Sequence, residues 1–177
     1  MAFWTDITNP KRKYNFQVFI NGANGKIKNY FAKTATKPSW TKGTAEHAYL
    51  NHTFYYPGRL TWGDVQITFV DPEDGDNASE GLVDILEASG YNPPRDANDL
   101  STISKSKAVD ALGVVTIQQL DDSGNVLETW NLINAFITEC NFGDLDYTSD
   151  DLVELQVTIK YDFATFGAGS IPDRLIP

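Results

Sequence analysis

The chain has 177 residues, 41% of them hydrophobic, and 24 acids against 14 bases give a formal net charge of −10. That length suits one domain, residues 1–177, able to bury a sizeable core, and the acidic balance works against a stable complex with a phosphate backbone. No apolar run reaches the ~18 residues of a membrane span, and the opening MAFWTDITNPKRK lacks the apolar core of a signal peptide, so synthesis in a reducing cytoplasm without membrane contact is expected.

From the N-terminus, residues 14–20 alternate, with Tyr14, Phe16, Val18 and Ile20 on one face. Residues 21–25 are turn chemistry. Residues 26–33 read as a returning strand with Ile27, Asn29 and Phe31 on one face, so a hairpin is expected. Residues 34–56 hold Trp40, Tyr49, Phe54, Tyr55 and Tyr56 without a sustained period, and within them only 49–56 reads as strand. A connection this long and aromatic points to a surface that meets another protein, with Trp40, Tyr49, Phe54 and Tyr55 as the expected contacts between protomers. The competing reading has these rings capping an open barrel end. Pro57-Gly58 is a turn signal. Residues 60–70 then form one long central strand that puts Val65, Ile67 and Phe69 on one side, ended by Asp71-Pro72.

The best helix covers about residues 77–89. Asn77 is placed to cap it, Glu80 sits three residues on, Leu82, Ile85 and Leu86 share a face, and Gly90 suits the left-handed exit. Residues 91–99 are loop, and 100–108 add at most a helical turn. Residues 114–120 and 126–132 form a hairpin around the turn 121–125, and 133–141 continue as strand with a bend at Asn134. Residues 152–163 give the cleanest alternation: Val153, Leu155, Val157, Ile159, Tyr161 and Phe163 face inward along one strand. A flexible or docked tail follows, 166–177.

Chemistry is sparse. Cys140 is the only cysteine, and its ordinary reading is a small strand residue rather than a nucleophile. His47 and His52 lack a positioned third zinc ligand. Asp71, Glu73, Asp74, Asp76 and Glu80 do not follow a calcium-loop spacing, and acids are favoured at a helix N-terminus in any case. No phosphate loop, nucleophile elbow or triad spacing is present, so no catalytic residue, cofactor or metal is expected.

Two blocks of sequence carry a family resemblance: RLTWGDVQITFVDPEDG with the short helix after it, and TWNLINAFITECNFGDLDYTSDDLVELQVTIKYDF. In the second, the matching residues are Trp130, Asn134, Phe136, Gly143, Leu145, Asp146, Tyr147 and Tyr161-Asp162. Together they resemble the tail tube proteins of contractile-tailed bacteriophages, over about residues 12–165. The resemblance implies a mainly β, antiparallel β-sandwich or barrel with one flanking α-helix. It implies six copies in a ring and rings stacked into a tube, with tail sheath, tape measure and baseplate proteins as partners. DNA would pass without tight binding, and the assembled protein would sit in the virion tail. A baseplate tube initiator or an injection-system tube has a similar pattern. An acidic β-sandwich that binds a ligand is the alternative from a different class.

Overall fold

Alternating apolar residues on two sets of strands close over one shared interior. The computed structural model describes residues 10–22, 27, 31–73, 77–94, 102–168 and 174–175. Along the chain these form β1 (Phe16–Ile20), β2 (Ala32–Ala35), β3 (Trp40–Tyr49), β4 (His52–Trp62), β5 (Val65–Val70), α1 (Ala78–Ala88) and α2 (Lys105–Leu112). Then come β6 (Val115–Leu120), β7 (Val126–Ile133), β8 (Phe136–Asn141), β9 (Glu154–Lys160), β10 (Phe163–Ala168) and β11 (Arg174–Leu175). A five-stranded sheet runs β1-β6-β7-β10-β11, a four-stranded sheet runs β2-β5-β9-β8, and β3-β4 stand apart as a ribbon. Every pairing is antiparallel. The architecture is a sandwich: among the described residues neither sheet closes into a barrel.

The core joins both sheets. Val18, Ile117 and Leu132 come from the five-stranded sheet, and Ile67, Phe69, Val157 and Ile159 from the four-stranded one, all nearly inaccessible to water. The helix α1 covers part of this core with Leu82 and Ile85, whereas Leu86 is exposed. Asn77 caps it as expected, its side chain accepting from the N–H groups of Ser79 and Glu80. Asp71 adds a second cap: one carboxylate oxygen accepts from Ala78 N–H at 3.0 Å and Ser79 N–H at 3.3 Å. The acid is thus consumed by orphan helix donors. Gly90 takes φ 98 just after the helix, the left-handed exit its position suggested.

Two corners carry the chain from one sheet to the other. After β7, Asn134 (φ 54) turns it into β8; after β9, Tyr161-Asp162 turns it into β10. The corners touch. Asp162 N–H donates to Ile133 O at 3.0 Å, and Asn134 Nδ2 donates to Asp162 Oδ2 at 2.8 Å. Lys105 Nζ at the start of α2 donates to both Asp162 oxygens, at 2.8 and 2.7 Å. The hydrogen bonds from Lys105 and Asn134 hold the Asp162 carboxyl below its ordinary range.

Several expectations are corrected by strand partners. β1 pairs with β6 and β2 with β5, so the described strands of 14–33 belong to different sheets and do not pair with each other as a hairpin. Gly22 is instead pressed against α2, where an added Cβ would lie 2.2 Å from the Ala111 carbonyl oxygen. Residues 23–26 and 29 lie outside the described residues, as do Asp74, Asp76 and 95–100. The strand expected over 60–70 is two strands, broken at Gly63-Asp64, because its first part belongs to the ribbon and only β5 to the sandwich. Residues 152–163 also split: β9 keeps Leu155, Val157 and Ile159 buried, then the corner resets the alternation so that Ala164, not Phe163, is fully buried. The expected tail begins inside β10, and Arg174–Leu175 lie antiparallel along Thr165 and Phe166. A second helix, α2, forms where a single turn was expected, capped by Ser104.

The hairpin β6–β7 and its turn stand as read, with Asp121 Oδ1 accepting from the N–H groups of Ser123 and Asn125. The bend at Asn134 and the inward faces of β5 and β9 stand as well.

Two predictions follow from this packing. Ile159 is fully buried in β9, between β5 and β8. An unpaired carboxylate there costs several kcal/mol against a total stability of roughly 5–15 kcal/mol. Ile159→Asp is therefore expected to abolish soluble expression; a soluble variant with parental circular dichroism contradicts the assignment. The second concerns pH. Because the folded pKa of Asp162 lies below its unfolded value, its contribution is present above about pH 4 and is lost as pH falls through the folded pKa. Asp162→Asn should lower the thermal midpoint at pH 7, and the two proteins should converge as the pH falls through the folded pKa. A deficit unchanged across that range would place the effect in packing instead of charge.

Candidate assembly interface

Residues 34–56 show no period because a turn lies hidden in the middle of their alternation. β3 and β4 pair from Tyr49↔His52 down to Trp40↔Trp62, closed by Leu50-Asn51 with Leu50 in the left-handed region. Strand pairing places Tyr49 opposite His52, His47 opposite Phe54 and Ala45 opposite Tyr56, so Tyr49, Phe54 and Tyr56 share one face with both histidines. His52 and Phe54 meet edge to face at 4.7 Å. Tyr55, opposite Glu46, points to the other face, and alternation along β3 puts Trp40 on that side at the base.

Pro57-Gly58 is no turn. It lies within β4 at a register shift opposite Lys42 and Thr44, where one extra residue bulges. A bulge tolerates proline because the ladder is already interrupted there. Gly58 is needed for closeness: a Cβ would sit 3.0 Å from the Gly43 carbonyl.

All ten residues of β3 are exposed. β3 and β4 pack on each other and make no comparably extensive contact with any other element. The base is fixed, with Gly63 N–H donating to Ser39 O at 2.8 Å and Trp62 packing on Tyr161 at 5.9 Å. Burial pushes the Tyr161 phenol up to about 12, so that anchor stays uncharged. Above it, Tyr49, Leu50, Phe54, Tyr55 and Tyr56 stand in solvent. The four residues singled out from sequence thus lie on one ribbon, on two faces of it. Tyr56 and Leu50 were missed, and strand alternation from Phe54 would have found Tyr56.

Two more surfaces carry distinctive chemistry. The edge strands β1 and β2 belong to different sheets, and a groove of about 960 Å³ opens beside them. Its floor includes Phe16, Ala32 and Ile117, and its rim carries Lys11, Arg12, Lys13, Lys33 and Lys37. At this end the inner face of the five-stranded sheet turns polar. Gln119 Nε2 donates to the carbonyls of Arg12 and Asn15 at 2.7 and 2.8 Å. The neighbouring Glu128, buried, receives both Lys11 and Lys37. Burial pushes the Glu128 carboxyl up, but the two lysines outweigh it and hold it below its ordinary range. Lys33 pairs with Glu154.

The third surface is the loop 142–153 between β8 and β9. It exposes Leu145, Tyr147 and Leu152, separated by Asp144, Asp146, Asp150 and Asp151. Its shape is locally set: Asp146 accepts from both the N–H and the hydroxyl of Thr148 at 2.9 Å, and Gly143 takes φ 80. Hydrogen bonds from Thr148 hold the Asp146 carboxyl low.

Among the described residues, no three His, Cys, Asp or Glu side chains converge as metal ligands. His47 and His52 share a ribbon face without a third ligand. Cys140 lies half-buried in β8, and burial raises its thiol pKa, which disfavours the reactive thiolate.

No family model and no curated protein matches the chain. Solved structures do. A chain in the PVC sheath/tube terminator of an extracellular contractile injection system is 21% identical with a TM-score of 0.67, covering 92% of this chain and 99% of that one. A chain of the corresponding sheath-tube complex is 22% identical with a TM-score of 0.66, covering 92% and 94%. A chain in the tube terminating cap of the anti-feeding prophage is 19% identical with a TM-score of 0.60, covering 96% and 100%. At such identities the likeness is one of fold. The chain has the mainly β, antiparallel fold found in chains of contractile tail-like assemblies, in line with the resemblance carried by its two sequence blocks.

Proposed function

We propose that residues 1–177 act as a single tube-type domain, a structural subunit of a contractile tail that self-assembles into stacked hexameric rings. The observation that carries this is the β3–β4 ribbon. A two-stranded hairpin is marginal by itself in water, yet this one exposes both faces with aromatic residues on each. Such a ribbon gains its stability when another chain covers it. Burying Trp40, Tyr49, Phe54 and Tyr55 against a neighbour could contribute roughly 1.5–3 kcal/mol each before ordering costs. In this reading the ribbon reaches the adjacent protomer, while the sandwich forms the wall. Sheath, tape measure and baseplate proteins are the further partners, and the protein does no chemistry. The cargo would be phage DNA, passing through a tube in the virion assembled in the bacterial cytoplasm. A net charge of −10 suits a wall to which DNA does not adhere.

A second reading, the tube or tube-end subunit of an injection particle, is favoured by the similar structures, which come from contractile injection systems and the anti-feeding prophage. Both readings share the mechanism: passive conduction through a self-assembled tube.

Purified protein should form rings or tubes in negative stain. Replacing residues 42–60 with a Gly-Ser link, which leaves the pair Thr41↔Thr61 to close the stub, should abolish assembly in sedimentation velocity while circular dichroism shows the sandwich retained. Full-length tubes from this variant would overturn the role of the ribbon. Filter binding at physiological salt should detect no tight complex with duplex DNA, as expected from the net charge of −10. A sub-micromolar complex would speak for a nucleic-acid-binding role instead.

A further inference from the structure

We propose that the basic groove beside β1 and β2 receives the acidic loop 142–153 of a second copy of this chain. The inference rests on the self-assembly proposed above and names a contact separate from the ribbon.

The groove asks for a particular occupant. Its lining mixes apolar side chains, Phe16, Ala32 and Ala35, with Gln17 and Gln118, while its rim concentrates bases in a chain where acids dominate. Lys11 and Lys37 are committed to Glu128, and Lys33 to Glu154. Arg12 and Lys13 enter no ion pair among the described residues. A fitting ligand therefore carries apolar side chains flanked by carboxylates, on a segment narrow enough to enter between two sheet edges. The loop 142–153 has this composition: Leu145, Tyr147 and Leu152 project almost wholly into water, at 88%, 110% and 71% exposure. Asp144 and Asp150 flank them with no hydrogen bond or ion pair among the described residues. Large apolar side chains this bare on an ordered loop mark a surface that another molecule covers.

The loop does not serve its own groove. Its root approaches the rim where Glu154 meets Lys33, but its apolar side chains stand exposed to water in the protomer. Groove and loop are different surfaces, so each copy offers one of each. The contact is heterologous, propagating head to tail into a closed ring or a continuing stack. Opposite charges at the two partners steer encounter and reject the wrong register.

Charge reversal in the full chain tests this. Arg12→Glu/Lys13→Glu makes the groove acidic, and Asp144→Lys/Asp150→Lys makes the loop basic. Each double variant should raise the concentration at which assembly begins by at least about tenfold in sedimentation velocity at physiological salt, with unchanged circular dichroism. The milder Arg12→Gln/Lys13→Gln should show a smaller shift in the same direction, and it decides the matter if a reversed groove fails to fold. A 1:1 mixture of the two reversed proteins should regain parental assembly, because each groove then meets an opposite loop; the variant with all four changes should regain it alone. Reversed variants that assemble at the parental concentration overturn the contact and leave the tube reading standing. Recovery by the fourfold variant without recovery by the mixture means the loop docks on its own chain, which overturns the second copy as occupant. Loss without recovery in either case also refutes the pairing. A parental chain that stays monomeric at every concentration removes both this contact and the tube reading.

Discussion

Asp162 ties together the two chain crossings of the sandwich. Two chain crossings between the sheets, at Ile133-Asn134 and at Tyr161-Asp162, meet at one point, and Asp162 binds Asn134, Lys105 and the Ile133 carbonyl at once. Each crossing alone is a strand that stops pairing on one side and starts on the other. Tied together, they fix which edge of each sheet faces which, and they seat α2 beside β8. Without that junction, β7–β8 and β9–β10 could each run on as a single strand, which is how the sequence alone reads the second of them.

The same topology leaves edges that need management. An uncovered edge strand is a template for pairing with another chain. Here β1 and β2 sit side by side without forming a ladder, and lysines crowd the opening. Those lysines fit ordinary edge protection, and the buried Glu128 shows that the arrangement is also built inward, drawing Lys11 and Lys37 to one carboxylate beneath the surface. The ribbon is a different case. Its edges are twisted by the bulge at Pro57-Gly58, and its aromatic faces are left bare. Edge chemistry discourages pairing in one place while apolar surface stands bare in another, and under the proposed tube reading specificity would arise from where association is blocked as much as from where it is favoured.

Most acids are solvated or used locally, as Asp71 is at the α1 N-terminus, Asp121 in its turn and Asp146 in its loop. Among the described residues none joins a group of three or more His, Cys, Asp or Glu side chains that could hold a metal ion.

Local chemistry determined what each segment is. Alternation placed Val65, Ile67, Phe69, Leu155, Val157 and Ile159 in the core, Asn77 and Gly90 bounded the helix, the residues 121–125 closed a hairpin, and Asn134 marked a bend, because these depend on neighbours within a few positions. Tertiary structure decided which strand pairs with which. Alternation specifies a buried face and is silent about the adjoining strand, so residues 14–33 read as a hairpin although β1 and β2 belong to opposite sheets. It also carries straight through a corner, so residues 152–163 read as one strand although hydrogen bonds at Asp162 send the last of them to the other sheet. The aromatic residues from Trp40 to Tyr56 raise the expectation of a contact surface by composition, and that surface is part of the proposed function. Only the pairing of β3 with β4 sorted them onto two faces, since a residue's side of a ribbon is set by its register against the partner strand, and register is a property of two segments together.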